Sequence, residues 1–96
     1  MTIFFVSRHA GALDWARRRG ITFDRYEPHL DLAAVNPGDT VIGSLPINIA
    51  AAVCAKGAVY KHLSLALKAE DRGRELSANE LENYEATLTE YEIRKR

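Results

Sequence analysis

A cluster of polar side chains follows the first apolar run of the chain. Ser7-Arg8-His9 comes directly after that run, and Ala10-Gly11 follows it. Arginine binds a phosphate through two parallel N–H hydrogen bonds, and serine donates a hydrogen bond from its hydroxyl. Histidine can transfer a proton near pH 7. We predict that Ser7, Arg8 and His9 are catalytic and that Ala10 and Gly11 line the same anion-binding turn. The alternative is that Arg8 pairs with an acid and His9 caps a helix.

The same stretch also resembles a motif of phosphatases. Histidine phosphatases carry an Arg-His-Gly triplet after their first strand, and its histidine accepts the phosphoryl group. This chain has Arg8-His9-Ala10-Gly11, so its glycine comes one residue late. With 96 residues the chain is also short for that fold's second catalytic half. Both departures argue against a phosphatase.

A second candidate cluster lies in the middle of the chain, at Gly43-Ser44-Leu45-Pro46 and Asn48. Gly43 permits close backbone approach, while Ser44 and Asn48 offer side-chain hydrogen bonds. We predict that these residues bind the bases or riboses of a ligand. A well-capped helix start, with Pro46 as its first residue, is the alternative. The glycine spacing and the lysine of a phosphate-binding P-loop are absent.

The later part of the chain adds four candidates. His62 and Ser64 share one face of a strand, because alternate residues of a strand point to the same side. His62 is either a ligand contact or a satisfied structural residue. Arg72 and Arg74 lie in a charged loop that either folds over a phosphate or is solvated. The three histidines lack metal-ligand spacing, so we predict no metal site and no cofactor.

Short apolar runs alternate with helical patterns along the chain. Strands are predicted over 3–6, 25–29, 40–43 and 59–65, helices over 12–19 and 47–56, and one helical turn over 32–35. This alternation predicts an α/β domain spanning residues 1–96, with a mostly parallel sheet of about four strands flanked by helices. Ligands of such folds bind outside the carboxyl ends of the strands, which is where the candidate residues fall.

The last helix is predicted from two signals. Ser77-Ala78-Asn79-Glu80 is typical of a capping box at a helix start. An apolar stripe at helical spacing then follows at Leu81, Tyr84, Leu88 and Tyr91. We therefore expect a helix over this part of the chain, after a charged loop at 68–75.

Composition limits the class of function. The 13 basic and 13 acidic side chains give a net charge of zero, which argues against a broad surface for long nucleic acid. Residues 1–68 carry a charge of +3 and residues 69–96 carry −3, so the first part suits a small anion. A single cysteine, Cys54, excludes an internal disulfide. No apolar run is long enough for a membrane span, and we expect a cytoplasmic protein. The small core favours a homodimer.

Several motifs together resemble one known family. They are Phe5-Val6-Ser7-Arg8-His9-Ala10-Gly11-Ala12, Trp15-Ala16, His29-Leu30-Asp31, residues 37–46 from Pro37 to Pro46, His62-Leu63-Ser64-Leu65 and residues 72–77 from Arg72 to Ser77. In this order they resemble a family of small CRISPR-associated proteins encoded beside type III systems. The resemblance covers nearly the whole chain.

Type III systems make cyclic oligoadenylates as alarm signals, so the resemblance has functional implications. It implies a Rossmann-like fold similar to the CARF domains that sense these molecules. It also implies ring nuclease activity, which linearises cyclic tetra-adenylate without a metal and switches the signal off. A homodimer would bind the ring across its two-fold axis.

Our assignment of roles for that reaction comes from the residues themselves. The ribose 2′-hydroxyl attacks the adjacent phosphate, and the enzyme holds the reacting atoms in line. Arg8 would stabilise the phosphate charge, Ser7 would fix the phosphate, and His9 would be the general acid or base. Ser44, Asn48 and Arg74 would hold bases, riboses and neighbouring phosphates. A non-catalytic protein that sequesters or senses the same ligand is the alternative.

Overall fold

The computed structural model describes residues 1–8, 10–64 and 86–96. The strands in these ranges are β1 Ile3–Val6, β2 Arg25–Glu27, β3 Thr40–Gly43, β4 Val59–Ser64 and β5 Thr87–Tyr91. The α-helices in the same ranges are α1 Ala10–Arg18 and α2 Ile47–Ala55, and a 3₁₀ turn covers Leu32–Ala34. No helix within these ranges is long and apolar enough to cross a membrane.

The strands form one sheet in the order β2-β1-β3-β4-β5. The first four strands are parallel to their neighbours, whereas β5 runs antiparallel to β4. The predicted α/β class with a mostly parallel sheet is therefore confirmed, and the arrangement is compatible with a Rossmann-like fold. The described sheet has five strands rather than about four.

Each face of the sheet carries its own layer of core. β1 and β3 are continuous apolar runs because both of their faces are covered. Phe5 and Ile42 pack towards α1, where Trp15 is only 2% exposed. Phe4 and Val41 pack on the opposite face, in the core that α2 completes. Burial of each such side chain stabilises the fold by about 1.5–3 kcal/mol.

Local signals fix the ends of α2. Pro46 precedes the first helical residue, and its carbonyl accepts the N–H groups of Ile49 and Ala50. Gly57 follows the helix with a φ of 83°, a conformation that glycine adopts without steric cost. The helix therefore begins at the predicted residue and ends one residue early. α1 begins at Ala10, two residues before the predicted start.

The predicted C-terminal helix is wrong for residues 87–91. Leu88 and Tyr91, assigned to a helical stripe, lie in β5 instead. Thr87, Leu88 and Thr89 pair with Ser64, Leu63 and His62 across β4. The physical reason is that this pairing satisfies the edge of β4 while Leu88 packs against the core beside α1. The capping box, Leu81, Tyr84 and the loop 68–75 lie outside the described residues.

Candidate functional site

The carboxyl ends of three adjacent strands meet at one edge of the sheet. Val6 of β1 pairs with Gly43 of β3, which in turn pairs with His62 of β4. Ser7 and Arg8 follow β1, and the turn from Ser44 follows β3. Neighbouring strands lie about 4.8 Å apart, so the Cα atoms of Val6 and His62 lie about 10 Å apart. The topology thus brings together the β1 turn, the 43–46 turn and the end of β4.

Gly43 is where the first two turns come closest. A Cβ atom on Gly43 would lie 2.6 Å from the carbonyl oxygen of Val6 and 3.3 Å from its Cβ. Distances under 3.0 Å are not tolerated, so a side chain here would push β1 and β3 apart. Sequence reasoning predicted a close backbone approach at Gly43. In the described structure the approaching backbone is that of β1.

The turn after β1 is anchored to the neighbouring strand. The Ser7 N–H donates to the carbonyl of Glu27 at 3.1 Å, and the Ser7 carbonyl accepts the Tyr26 hydroxyl at 3.0 Å. Arg8, the next residue, is exposed. A fixed backbone thus carries an accessible cation at the sheet edge. Gly11 is buried in α1, and His9 lies outside the described residues.

The turn after β3 is held to β4 by two hydrogen bonds. The Ser44 hydroxyl donates to the carbonyl of Leu63 at 2.5 Å, and the Leu45 N–H donates to the Tyr60 hydroxyl at 3.0 Å. The hydrogen of Ser44 is therefore directed to the backbone, while its oxygen can still accept a bond. Pro46 and Asn48 are exposed at the start of α2. Their exposure keeps this end of α2 accessible to a ligand.

Tyr60 links both turns to His62. Its side chain is 1% exposed. Its hydroxyl donates to the Gly43 carbonyl at 3.1 Å, accepts the Leu45 N–H, and lies 2.5 Å from Nδ1 of His62. Burial raises the pKa of Tyr60, an effect that the bond from Leu45 partly opposes. The hydroxyl therefore keeps its hydrogen at neutral pH.

His62 is half-buried beside two aromatic rings. The ring centres of Tyr60 and Tyr91 lie 5.7 Å and 6.0 Å from it, both edge to face. Ser64, two residues further along β4, is half-buried as well. Both residues lie in β4 two positions apart, so their side chains share one face of the strand, as predicted. The arrangement holds an imidazole at the site edge with one nitrogen bonded to Tyr60.

Three of the predicted site residues lie outside the described residues, namely His9, Arg72 and Arg74. His29 is exposed after β2. Across the described ranges, no group of three or more His, Cys, Asp and Glu side chains could hold a metal ion. The described site thus consists of one cation, backbone turns, hydroxyls and an imidazole.

Sequence reasoning missed the role of Tyr60. Tyr60 is not among the predicted site residues, yet its hydroxyl joins the 43–46 turn to His62. A signal was present in the spacing. Tyr60 and His62 are two residues apart on a strand, so both side chains must point to the same face. The hydrogen bonds that link Tyr60 to Gly43 and Leu45 could not be predicted, because they depend on the pairing of β3 with β4.

Comparison with known proteins places the chain in a family. No curated protein and no solved structure matches the chain. A family model described as "Putative CRISPR-associated protein (Cas_VVA1548)" matches residues 4–94. This match includes the β1 turn, the 43–46 turn and His62. The chain therefore belongs to the Cas_VVA1548 family of CRISPR-associated proteins.

Proposed function

We propose that this protein binds cyclic tetra-adenylate and linearises it as a metal-independent ring nuclease of type III CRISPR systems. One observation carries the proposal. In a chain of a CRISPR-associated family, the exposed Arg8 and the Tyr60-bound His62 lie at the same carboxyl edge of a parallel sheet. This edge is where α/β sheets bind nucleotides.

The accessible groups suit a small cyclic polyanion. Arg8 supplies a cation for a phosphate, and the start of α2 supplies N–H groups that favour negative charge. The Ser44 oxygen and the exposed Asn48 side chain offer hydrogen bonds to a ribose or an adenine edge. Two copies of the chain would present these groups twice to a ligand that itself has repeated nucleotides. A homodimer thus reconciles zero net charge with an anionic ligand.

The cleavage chemistry needs little beyond positioning and proton transfer. The ligand carries its own nucleophile, since a ribose 2′-oxygen attacks the adjacent phosphorus. The bond from phosphorus to the 5′-oxygen breaks, which leaves a 2′,3′-cyclic phosphate and a 5′-hydroxyl. Arg8 and Ser7 stabilise the added charge on the phosphate oxygens. A histidine takes or gives the proton, as predicted for His9.

The test is turnover by the purified protein. Cyclic tetra-adenylate is supplied in large molar excess with a chelator present, and the products are separated by chromatography. We expect many rings to be linearised per protein dimer. The same assay on an Arg8→Ala variant, whose fold is checked by circular dichroism, should leave most of the ligand intact over the time in which the wild type consumes it.

Three other results would contradict the proposal in distinct ways. Intact ligand that co-elutes with the protein, at about one ring per dimer, indicates a sequestering or sensing protein. Intact ligand that does not co-elute indicates another ligand class. Release of inorganic phosphate from phosphorylated compounds, with a phosphorylated His9, indicates a phosphatase.

A further inference from the structure

The hydrogen bonds around Tyr60 determine which nitrogen of His62 carries a hydrogen. A tyrosine hydroxyl has one hydrogen to donate and two lone pairs that accept. The hydrogen of Tyr60 is directed to the Gly43 carbonyl, and one lone pair accepts the Leu45 N–H. The second lone pair is therefore the part of the hydroxyl that remains for the contact with Nδ1 of His62, at 2.5 Å. For all three contacts of the hydroxyl to be hydrogen bonds, Nδ1 is the donor.

This assignment fixes the chemistry of the other ring nitrogen. In a neutral imidazole one nitrogen carries the hydrogen and the other carries the lone pair. With the hydrogen on Nδ1, the lone pair of His62 lies on Nε2. Nε2 is then able to accept a proton. A buried hydroxyl that selects the tautomer of a half-buried histidine is the arrangement that orients a general base.

We infer that Nε2 of His62 is the base that takes the proton of the attacking 2′-hydroxyl, and that Tyr60 is the positioning residue that holds this tautomer. The inference rests on the proposed function. As the proton moves to Nε2, the 2′-oxygen forms its bond to phosphorus and the bond from phosphorus to the 5′-oxygen breaks. The leaving oxygen takes a proton from a separate acid, a role open to His9. His62 then returns its proton to water.

His62 is placed for this role relative to Arg8. The two residues lie on β4 and after β1, with β3 between them. A phosphate bound by Arg8 above the end of β3 would therefore have His62 on one side. The 2′-hydroxyl of the preceding ribose would lie within reach of that side. The reaction needs a base at the attacking 2′-oxygen and a cation at the charged phosphate oxygens. These are different atoms, so a base and a cation on different strands suit the reaction.

The first test uses the free protein and needs no ligand. Nitrogen-15 spectra of the histidine rings, recorded at alkaline pH, report which ring nitrogen carries the hydrogen. We expect hydrogen on Nδ1 and a lone pair on Nε2. The opposite tautomer would overturn the inference.

The second test is single-turnover cleavage of cyclic tetra-adenylate by a His62→Asn variant. The asparagine amide can still donate to the Tyr60 hydroxyl, but it has no group in place of Nε2 that accepts a proton. We expect the rate to fall about 10²–10⁴-fold while ligand binding changes little. His29→Asn, the same substitution at an exposed histidine, is the matched control and should cleave normally.

The pH dependence separates a base from a structural residue. Among the described residues, the titratable side chains in ring contact with His62 are Tyr60 of β4 and Tyr91 of β5. Cys54 of α2 lies beside these tyrosines, with its sulfur 3.8 Å from the Tyr91 carbonyl oxygen. The wild-type rate should rise with pH, because a general base acts in its unprotonated form, and His62→Asn should lose that rise. Tyr60→Phe should lower the rate about tenfold and keep the rise.

The outcomes distinguish this inference from the proposed function. If the wild type cleaves and His62→Asn cleaves at the same rate with the same pH profile, His62 is not the base and the ring nuclease stands. If the wild type leaves cyclic tetra-adenylate intact, both fail. The tautomer measured in the free protein shows independently whether Tyr60 holds His62 as described.

Discussion

A Gly43→Ala substitution tests whether the spacing of β1 and β3 positions the reacting groups. The new Cβ would lie 2.6 Å from the Val6 carbonyl oxygen, and ordinary contact begins at 3.4 Å. The two strand ends must separate by about 0.4 Å to reach the 3.0 Å limit and by about 0.8 Å to reach ordinary contact. Overpacking of this kind costs about 1–3 kcal/mol of unfolding free energy.

The same displacement has a calculable effect on cleavage. It moves the turn that carries Arg8 away from the turn that carries Ser44. A misplacement of about 1 Å lowers the rate about 100-fold. With the logarithm of the rate proportional to the displacement, a shift of about 0.4–0.8 Å lowers the rate about 6- to 40-fold. Single-turnover cleavage of cyclic tetra-adenylate measures this rate, and urea unfolding measures the stability.

Gly20→Ala is the matched control for lost stability. Gly20 has a φ of 69°, so alanine there is strained by about 1–2 kcal/mol, yet its Cβ would meet no atom within 4 Å. This variant should be destabilised and should cleave at the wild-type rate below its melting temperature. A Gly43→Ala protein that is destabilised but cleaves like the wild type would refute the positioning argument. An undestabilised Gly43→Ala protein would refute the close approach itself.

Three further predictions concern the charge, the buried hydroxyl and the buried carboxylate. Arg8→Ala should lower the single-turnover rate about 10²–10³-fold with the fold intact. The control Arg94→Ala removes an exposed arginine and should cleave at the wild-type rate. If Arg8→Ala cleaves as fast as Arg94→Ala, Arg8 has no part in catalysis. Tyr60→Phe should cost about 1–3 kcal/mol in urea unfolding, because the Gly43 carbonyl and the Leu45 N–H lose their partner. Tyr26→Phe removes an exposed hydroxyl and should cost less; equal costs would contradict the burial argument. Bonds from the backbone N–H groups of Thr2 and Asn36 hold the pKa of Asp39 below its ordinary 3.8. The lowered pKa means that Asp39 stabilises the fold above pH 3.8 and that this contribution is lost as the pH falls through the folded value. Asp39→Asn should therefore be less stable than the wild type at pH 7 in urea unfolding, and the gap should narrow in acid; a gap independent of pH would contradict this assignment.

Local signals were enough to predict most of the parallel sheet. β1 and β3 have the predicted bounds, because each is a short apolar run between breaks. Pro46 and Gly57 bracket α2 by their backbone preferences alone. These features depend on residues close in sequence. Sequence reasoning therefore also found the carboxyl edge that carries the candidate site.

Features that depend on distant pairing were not predicted. β5 was taken for a helix because Leu88 and Tyr91 fit a helical stripe as well as they fit a strand. The antiparallel pairing with β4, which decides between the two, is not visible in the local sequence. The Tyr60 network was missed for the same reason. Its partners are Gly43 of β3, 17 residues away, and Leu45 in the turn after β3, 15 residues away.

The identity of the reaction products tests the central claim most directly. Cyclic tetra-adenylate is incubated in excess with the protein and a chelator, and the product masses and chain ends are determined. We predict linear oligoadenylates with a 2′,3′-cyclic phosphate at one end and a 5′-hydroxyl at the other, in many-fold excess over the protein. Intact cyclic tetra-adenylate would contradict it, and linear products without a 2′,3′-cyclic phosphate would contradict attack by the 2′-hydroxyl.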